Sequence, residues 1–227
     1  DLHSKEDCYK LASENTSLGE ALGGMPMAIK DLANVKGFKT TEGSPLYAER
    51  VAQKDDQMVA RLRAAGALFI GKTNTPEFGL GSNTFNPVYG KTKNPYDLTR
   101  TCGGSSGGAA VALATRMLSI SDGSDMMGSL RNPAAWNNVY GLRPTWGLIP
   151  PEPSGEIFLS QLSTLGPMAR SPKDLAMLLD VQANRAENRS CMSSVTTFSD
   201  FTKKPIMKGI KVGWLGDWGG TLAFEED

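Results

Sequence analysis

Two short apolar runs, MPMAIK (25–30) and ALFIG (67–71), bracket a segment with helical spacing, and this alternation constrains the fold more than any other feature. Each run has strand length and reads as buried. Between them, from Asp56, the residues Met58, Val59, Leu62 and Ala65 fall at helical spacing, and Gly66 supplies a C-terminal stop. The pattern continues with GGAAVALATRM (107–117), a helix of small residues, and MLSIS (117–121), the strand after it. TPE (75–77) offers a cap followed by proline at a first helical position, and SLRNPAAW (129–136) predicts another helix. SPKDLAMLLDVQA (171–183) predicts a helix capped by Ser171, with Leu175, Leu178 and Leu179 on one face. After a polar stretch (184–206), GIKVGWLG (209–216) predicts a further strand. Strands alternating with helices specify an α/β fold.

Composition excludes some partners. Lys+Arg and Asp+Glu balance at 24 each, which argues against nucleic acid or an anionic membrane as the main partner. No apolar run approaches the roughly 18–20 residues that span a bilayer. Cys8, Cys102 and Cys191 are widely spaced and odd in number, which suits a reducing, cytoplasmic compartment better than a disulfide framework. None sits in a metal-binding spacing, so no metal is expected. The opening DLHSKEDCYK has neither an initiator methionine nor a signal-peptide core, and TLAFEED ends without an obvious terminal element. Both predict that the sequence is a piece of a longer chain.

The stretch CGGSSGGAA (102–110), at the end of a long Gly/Asn/Pro/Thr-rich loop (81–104), admits several readings. A Gly/Ser linker is the plainest, but the apolar helix and strand that follow directly argue for a core. GGSSG also fits the nucleophile elbow, yet the polar NPYDLTRT precedes it, and the single histidine, His3, lies far upstream. GALFIGKT (66–73) matches the phosphate-loop pattern letter for letter. Its middle residues, however, read as a buried strand that could not wrap phosphate in backbone N–H groups.

Downstream, SDGSDMMGSLR (121–131) places Ser129 in a tight polar turn ahead of a predicted helix, where backbone N–H groups can stabilise an oxyanion. A serine hydroxyl needs a base, and no histidine is available. A lysine serves if it is held neutral by burial. Lys30 ends the apolar strand MPMAI; a strand-end lysine is also commonly a solvated cap.

MPMAIKDL, TEGSP, ALFIGKTNTPEFGLGSNTFNPVYGKTKNPYD, CGGSSGGAAVALA, DGSDMMGSLRNPA, GLRPTWGLIP and STLGPMARSPKDLAMLLD, in this order, resemble the amidase signature family, closely over residues 22–183. KGIKVGWLGD (208–217) resembles the strand that opens the family's second half. The resemblance implies a mixed central β-sheet sandwiched between helices, with residues 1–227 forming one amidase signature domain, incomplete because the family domain is roughly twice as long. It implies amide hydrolysis by a Ser–cis-Ser–Lys triad with no metal or organic cofactor. By position, Ser129 matches the nucleophile, Lys30 the buried lysine and Ser105 the bridging serine after a cis bond, where Gly104 lowers the steric obstacle. Backbone N–H groups of Met126, Met127, Gly128 and Ser129 match the oxyanion hole. Asp125 and Arg131 flank that turn as a bracing ion pair. Ser106 either hydrogen-bonds Lys30 or caps the following helix.

The resemblance departs at Met127, where the family carries glycine. If that position needs φ > 0, methionine costs roughly 1–2 kcal/mol, and its side chain could narrow the acyl pocket. The expected function is hydrolysis of a small carboxylic amide to acid plus ammonia or amine. A glutaminase component of a tRNA-dependent amidotransferase is the near alternative, and a non-catalytic binding member is the distant one. Homo-oligomerisation is compatible with either enzyme. Loops 78–84 and 154–165 are expected to face the acyl group.

Overall fold

A computed structural model describes residues 2–152, 161–183, 197–203, 209–214, 216 and 218–221. The expected strand–helix–strand unit is present. Strand β1 (Pro26–Lys30) and strand β2 (Leu68–Thr73) pair in parallel, from Pro26 opposite Leu68 to Lys30 opposite Thr73, with helix α2 (Gln57–Ala64) between them in sequence. Strand β5 (Ile120–Asp125) pairs antiparallel with β7 (Thr164–Ala169), which carries the two-residue β6 (Tyr140–Gly141) on its other edge. β1 and β5 are linked by side chains: Ser121 Oγ donates to Ala28 O at 3.3 Å, and Asp122 Oδ1 accepts from Lys30 N at 3.0 Å.

Alternation along the strands builds two apolar layers, as period-2 side-chain placement requires. Met27 and Ile29 of β1, Phe69 of β2 and Ala169 of β7 pack against Met58, Val59 and Leu62 of α2 and Leu178 and Leu179 of α5 (Pro172–Ala183). Ala28 and Met168 point the other way, onto Ala109, Ala110 and Leu113 of α3 (Gly107–Ala114), Leu130 at the start of α4 (Arg131–Trp136) and Ala134 within it. The small residues of α3 let it lie close to the sheet. The result is the mixed sheet between helices expected from the sequence. Ser171 caps α5 as anticipated, accepting from Asp174 N at 3.1 Å. The remaining elements are α1 (Lys5–Ser13), the hairpin β3 (Phe85–Asn86) and β4 (Gly90–Lys91), and α6 (Phe198–Lys203). Among the described residues no helix is long and apolar enough to cross a membrane.

Four local expectations fail for physical reasons. β5 does not end at Ser121 but runs to Asp125, because Ser121 and Asp122 satisfy their polar groups on β1 while 120–125 pair with β7. The helix expected over 129–136 starts at Arg131, since Gly128 and Leu130 donate their N–H groups to Asp125. TPE opens only one 3₁₀ turn (Glu77–Gly79), with Pro76 as the extended cap and Phe78 in the left-handed region at φ 54°. Residues 209–214 are irregular rather than a strand. Ile210, Val212 and Trp214 are exposed, and no described strand offers them a ladder. Leu215 of that expected strand lies outside the described residues, as do 154–160 of the second substrate loop and Cys191.

The phosphate-loop reading is excluded on geometry. Leu68–Thr73 of GALFIGKT is β2, and the buried Lys72 donates to Ala33 O at 2.7 Å and Thr40 Oγ1 at 3.1 Å, 3.4 Å from Asp31 Oδ1.

Candidate active site

Lys30 arrives at the site because it is the last residue of an apolar strand whose neighbours on both sides are strands. Its side chain is 1% exposed, so the solvated-cap reading of this lysine is wrong. Nζ lies 2.6 Å from Ser105 Oγ, 2.9 Å from Ser106 Oγ and 3.0 Å from Ser124 Oγ. Burial drives its pKa down to about 7, against the opposing pull of Asp122 and Asp125. Near neutrality the amine therefore gives up a proton readily and becomes an acceptor.

The loop before α3 delivers the two serines. The Gly104–Ser105 bond is cis. Gly104 N donates to Asn132 Oδ1 at 3.1 Å. A Cβ at position 104 would meet the backbone of Ser82 and Asn83 at 3.0 Å, so glycine lets the 78–84 loop close over this segment. Ser106 stands at the cap position of α3 but makes no side-chain cap bond. Its hydroxyl instead bonds Lys30 and Ser124 O, the latter at 3.2 Å. The alternatives left open for Ser106 are thus resolved toward the lysine network. The Ser106 proton is engaged by Ser124 O, and of the two other hydroxyls on Nζ, that of Ser105 lies nearer, at 2.6 Å against 3.0 Å for Ser124.

Ser129 is half-buried beside this cluster. Its carbonyl accepts from Ser106 N at 3.2 Å, which ties the two loops together. Its hydroxyl is not hydrogen-bonded to Ser105 among the described residues. The structure thus joins Lys30, Ser105 and Ser106 directly and holds Ser129 alongside through its backbone.

Asp125 organises the turn that carries Ser129. Its carboxylate accepts from Gly128 N at 2.7 Å, Leu130 N at 3.1 Å and Arg131 Nε at 3.0 Å, with Arg143 Nε 3.3 Å away. Burial raises its pKa, but Arg131 and the two backbone donors outweigh burial and hold it below the usual carboxylate range. The expected brace with Arg131 is present, and Arg143 adds to it. Gly128 N–H is engaged by Asp125, which leaves the N–H groups of Met126, Met127 and Ser129 as the donors not used within the turn.

Positive φ falls on Gly128 (120°) and not on Met127. Methionine therefore bears no left-handed strain, and its side chain stands 83% exposed instead of filling the site. A glycine there would only loosen the unfolded chain. Met127→Gly should lower stability by about 0.4–1 kcal/mol, measured by urea denaturation; a gain would mean that the turn prefers glycine after all.

Three neighbours of Lys30 were not singled out from sequence: Ser124, Asp122 and, through Gly104, Asn132. The run SDGSD lacks the apolar alternation that marks a strand. Only the need of a buried lysine for polar partners could have pointed to it.

A three-layer α/β domain that buries a strand-end lysine against a Gly/Ser loop defines a recognisable class. The chain belongs to the amidase signature family, whose Amidase description matches residues 3–223. It is 42% identical over 202 residues to the A component of the glutamyl-tRNA(Gln) amidotransferase from Koribacter versatilis, covering 88% of this chain and 42% of that protein. The native peptide amidase of Stenotrophomonas maltophilia superposes with a TM-score of 0.76 at 33% identity, over 88% of this chain and 44% of the other. A 6-aminohexanoate cyclic dimer hydrolase complexed with substrate gives 0.73 at 34% identity, over 80% and 38%. The chain thus spans less than half the length of these relatives.

Proposed function

We propose that the complete protein hydrolyses a small carboxylic amide through an acyl-enzyme on Ser129, with Lys30 and Ser105 as the proton relay. The observation that carries this reading is the buried Lys30 Nζ, 2.6 Å from Ser105 Oγ, in a network where the Ser106 proton is already engaged. Neutral Lys30 accepts the Ser105 proton, and Ser105 accepts that of Ser129 once the Ser129 hydroxyl turns toward it. Catalytic hydrogen bonds often tighten in this way only when substrate is bound. Ser129 Oγ adds to the amide carbonyl, and the N–H groups of Met126, Met127 and Ser129 face the developing oxyanion. The relay returns the proton to the departing amine as the C–N bond breaks. Water then attacks the acyl-enzyme by the same relay, giving the acid and restoring Ser129. Ser106, Asp125 and Arg131 support the geometry, and no step calls for a cofactor.

A second reading is favoured by the names of the curated relatives. In it the amide is glutamine, and the released ammonia passes to a partner protein for tRNA-dependent amidation. Glutaminase activity together with co-purifying partners would select it; activity on other amides by the isolated protein would select the first.

The test common to both is fluorophosphonate labelling of the full-length protein, with the modified residue mapped by mass spectrometry. Label on Ser129 is expected. No label on a folded, complete chain would move the protein to the non-catalytic binding class. Ser105→Ala should slow labelling by about 10²–10⁴-fold while leaving the thermal midpoint nearly unchanged. Lys30 keeps Ser106 and Ser124 as partners in that variant, so no buried amine is orphaned. A labelling rate within a few-fold of the parent would remove Ser105 from the relay.

A further inference from the structure

Asp122 is a buried carboxylate that the proposed chemistry does not use. It is 1% exposed, on β5, directly beside the last residue of β1. Oδ1 accepts from the backbone N–H of Lys30 at 3.0 Å, which, with the Ser121–Ala28 bond and the contacts of Lys30 Nζ with Ser124, joins β1 to β5. Among the described residues no cationic side chain lies within ion-pair distance of it. The other charges around Lys30 are occupied. Asp125, on the same strand, is held by Arg131 and Arg143. Asp31, next along the chain, accepts from Thr41 N and lies 3.4 Å from Lys72 of β2. Lys30 and Asp122 also line one cavity of about 220 Å³, where Asp56 and Glu152 are the other acids. Asp56 is bonded by Asn34, and Glu152 is paired with Lys54.

We propose that Asp122 is a positioning residue for Lys30: its carboxylate pins the end of β1 against β5, and its negative charge sets how readily the lysine gives up its proton. The inference rests on the relay proposed above. A buried carboxylate without a paired cation is costly, and two hydrophobic side chains would join these strands at less expense. Its presence is accounted for by its electrostatic effect on the lysine. Burial alone drives Lys30 toward the neutral form, and an uncompensated negative charge close by opposes this. Burial also pushes Asp122 itself up to about 6, with Lys30 and Lys72 pulling it back. Above that pH it is ionised and acts on Lys30 in the range where the relay works.

The direction of the effect follows. Labelling of Ser129 requires neutral Lys30, so its rate rises with pH through the lysine's pKa, which lies at about 7. Removing the negative charge makes the ammonium less favourable, so the rise moves to lower pH. Asp122→Asn keeps an acceptor for Lys30 N and removes the charge. In the full-length protein the midpoint of the fluorophosphonate rate–pH profile should fall by about one unit, with the thermal midpoint recorded in parallel. Asp122→Thr, also neutral and an acceptor, is the second variant should the asparagine not fold, and the same shift is expected. A midpoint unchanged from the parent, or a rate reduced equally at every pH, would overturn the proposal and leave Asp122 a structural tie. A parent protein whose labelling does not depend on Lys30 would instead overturn the relay on which the inference rests.

Discussion

Ser129→Ala should abolish fluorophosphonate labelling and lower turnover by at least about 10⁴-fold, the loss expected if Ser129 is the nucleophile of a covalent mechanism. The folded structure should be untouched. Ser129 is half-buried, its Oγ holds no hydrogen bond to the cluster, and the bond from Ser106 N to its carbonyl survives in alanine. Surface and half-buried changes of this kind usually move stability within about 0.5 kcal/mol. A variant with the parental urea midpoint and no activity would therefore locate the defect in chemistry. Near-normal turnover would end the Ser129 mechanism. Label transferred to Ser105 would mean that the serine nearest the lysine is itself the nucleophile.

Much of the frame was legible because its signals are local. MPMAIK and ALFIG are apolar runs of strand length, and the helix between them shows its face at 3.6-residue spacing. In both cases burial, which the sequence pattern reports, also decides the structure. The site was legible only through the ordered motifs, since a lysine at a strand end and serines between glycines have several ordinary readings.

What escaped was the polar interior. Asp122 and Ser124 look like a turn, yet they continue the strand because their side chains find partners on the backbone N–H and the amine of Lys30. Such long-range satisfaction has no periodicity to betray it. The opposite failure occurs at 209–214, where strand-like residues stay irregular. A strand needs a neighbour for its N–H and C=O groups, and none of the described strands provides one. In both segments a pairing partner, present or absent, overrode local character.

Lys30→Met should reduce turnover by about 10²–10⁴-fold, the range of general acid–base catalysis, and should also alter the dependence of stability on pH. In the unfolded chain the lysine titrates near 10.5, and in the folded protein at about 7. Between these values the unfolded state holds a proton that the folded state has released, so stability rises with pH. It is lost again as pH falls through this window. Below about 7 both states are protonated and the contribution is constant. The slope from one such group is at most about 1.4 kcal/mol per pH unit. Lys72, also lowered chiefly by burial, adds a slope of the same sign that persists in the variant. Urea denaturation at several pH values from 7 to 9 should therefore show a parental slope steeper than that of Lys30→Met by about 1.4 kcal/mol per unit. Equal slopes would mean that Lys30 keeps its proton in the folded protein throughout this range. An ammonium cannot accept the Ser105 proton, so that result would remove Lys30 as the base even if the variant were inactive.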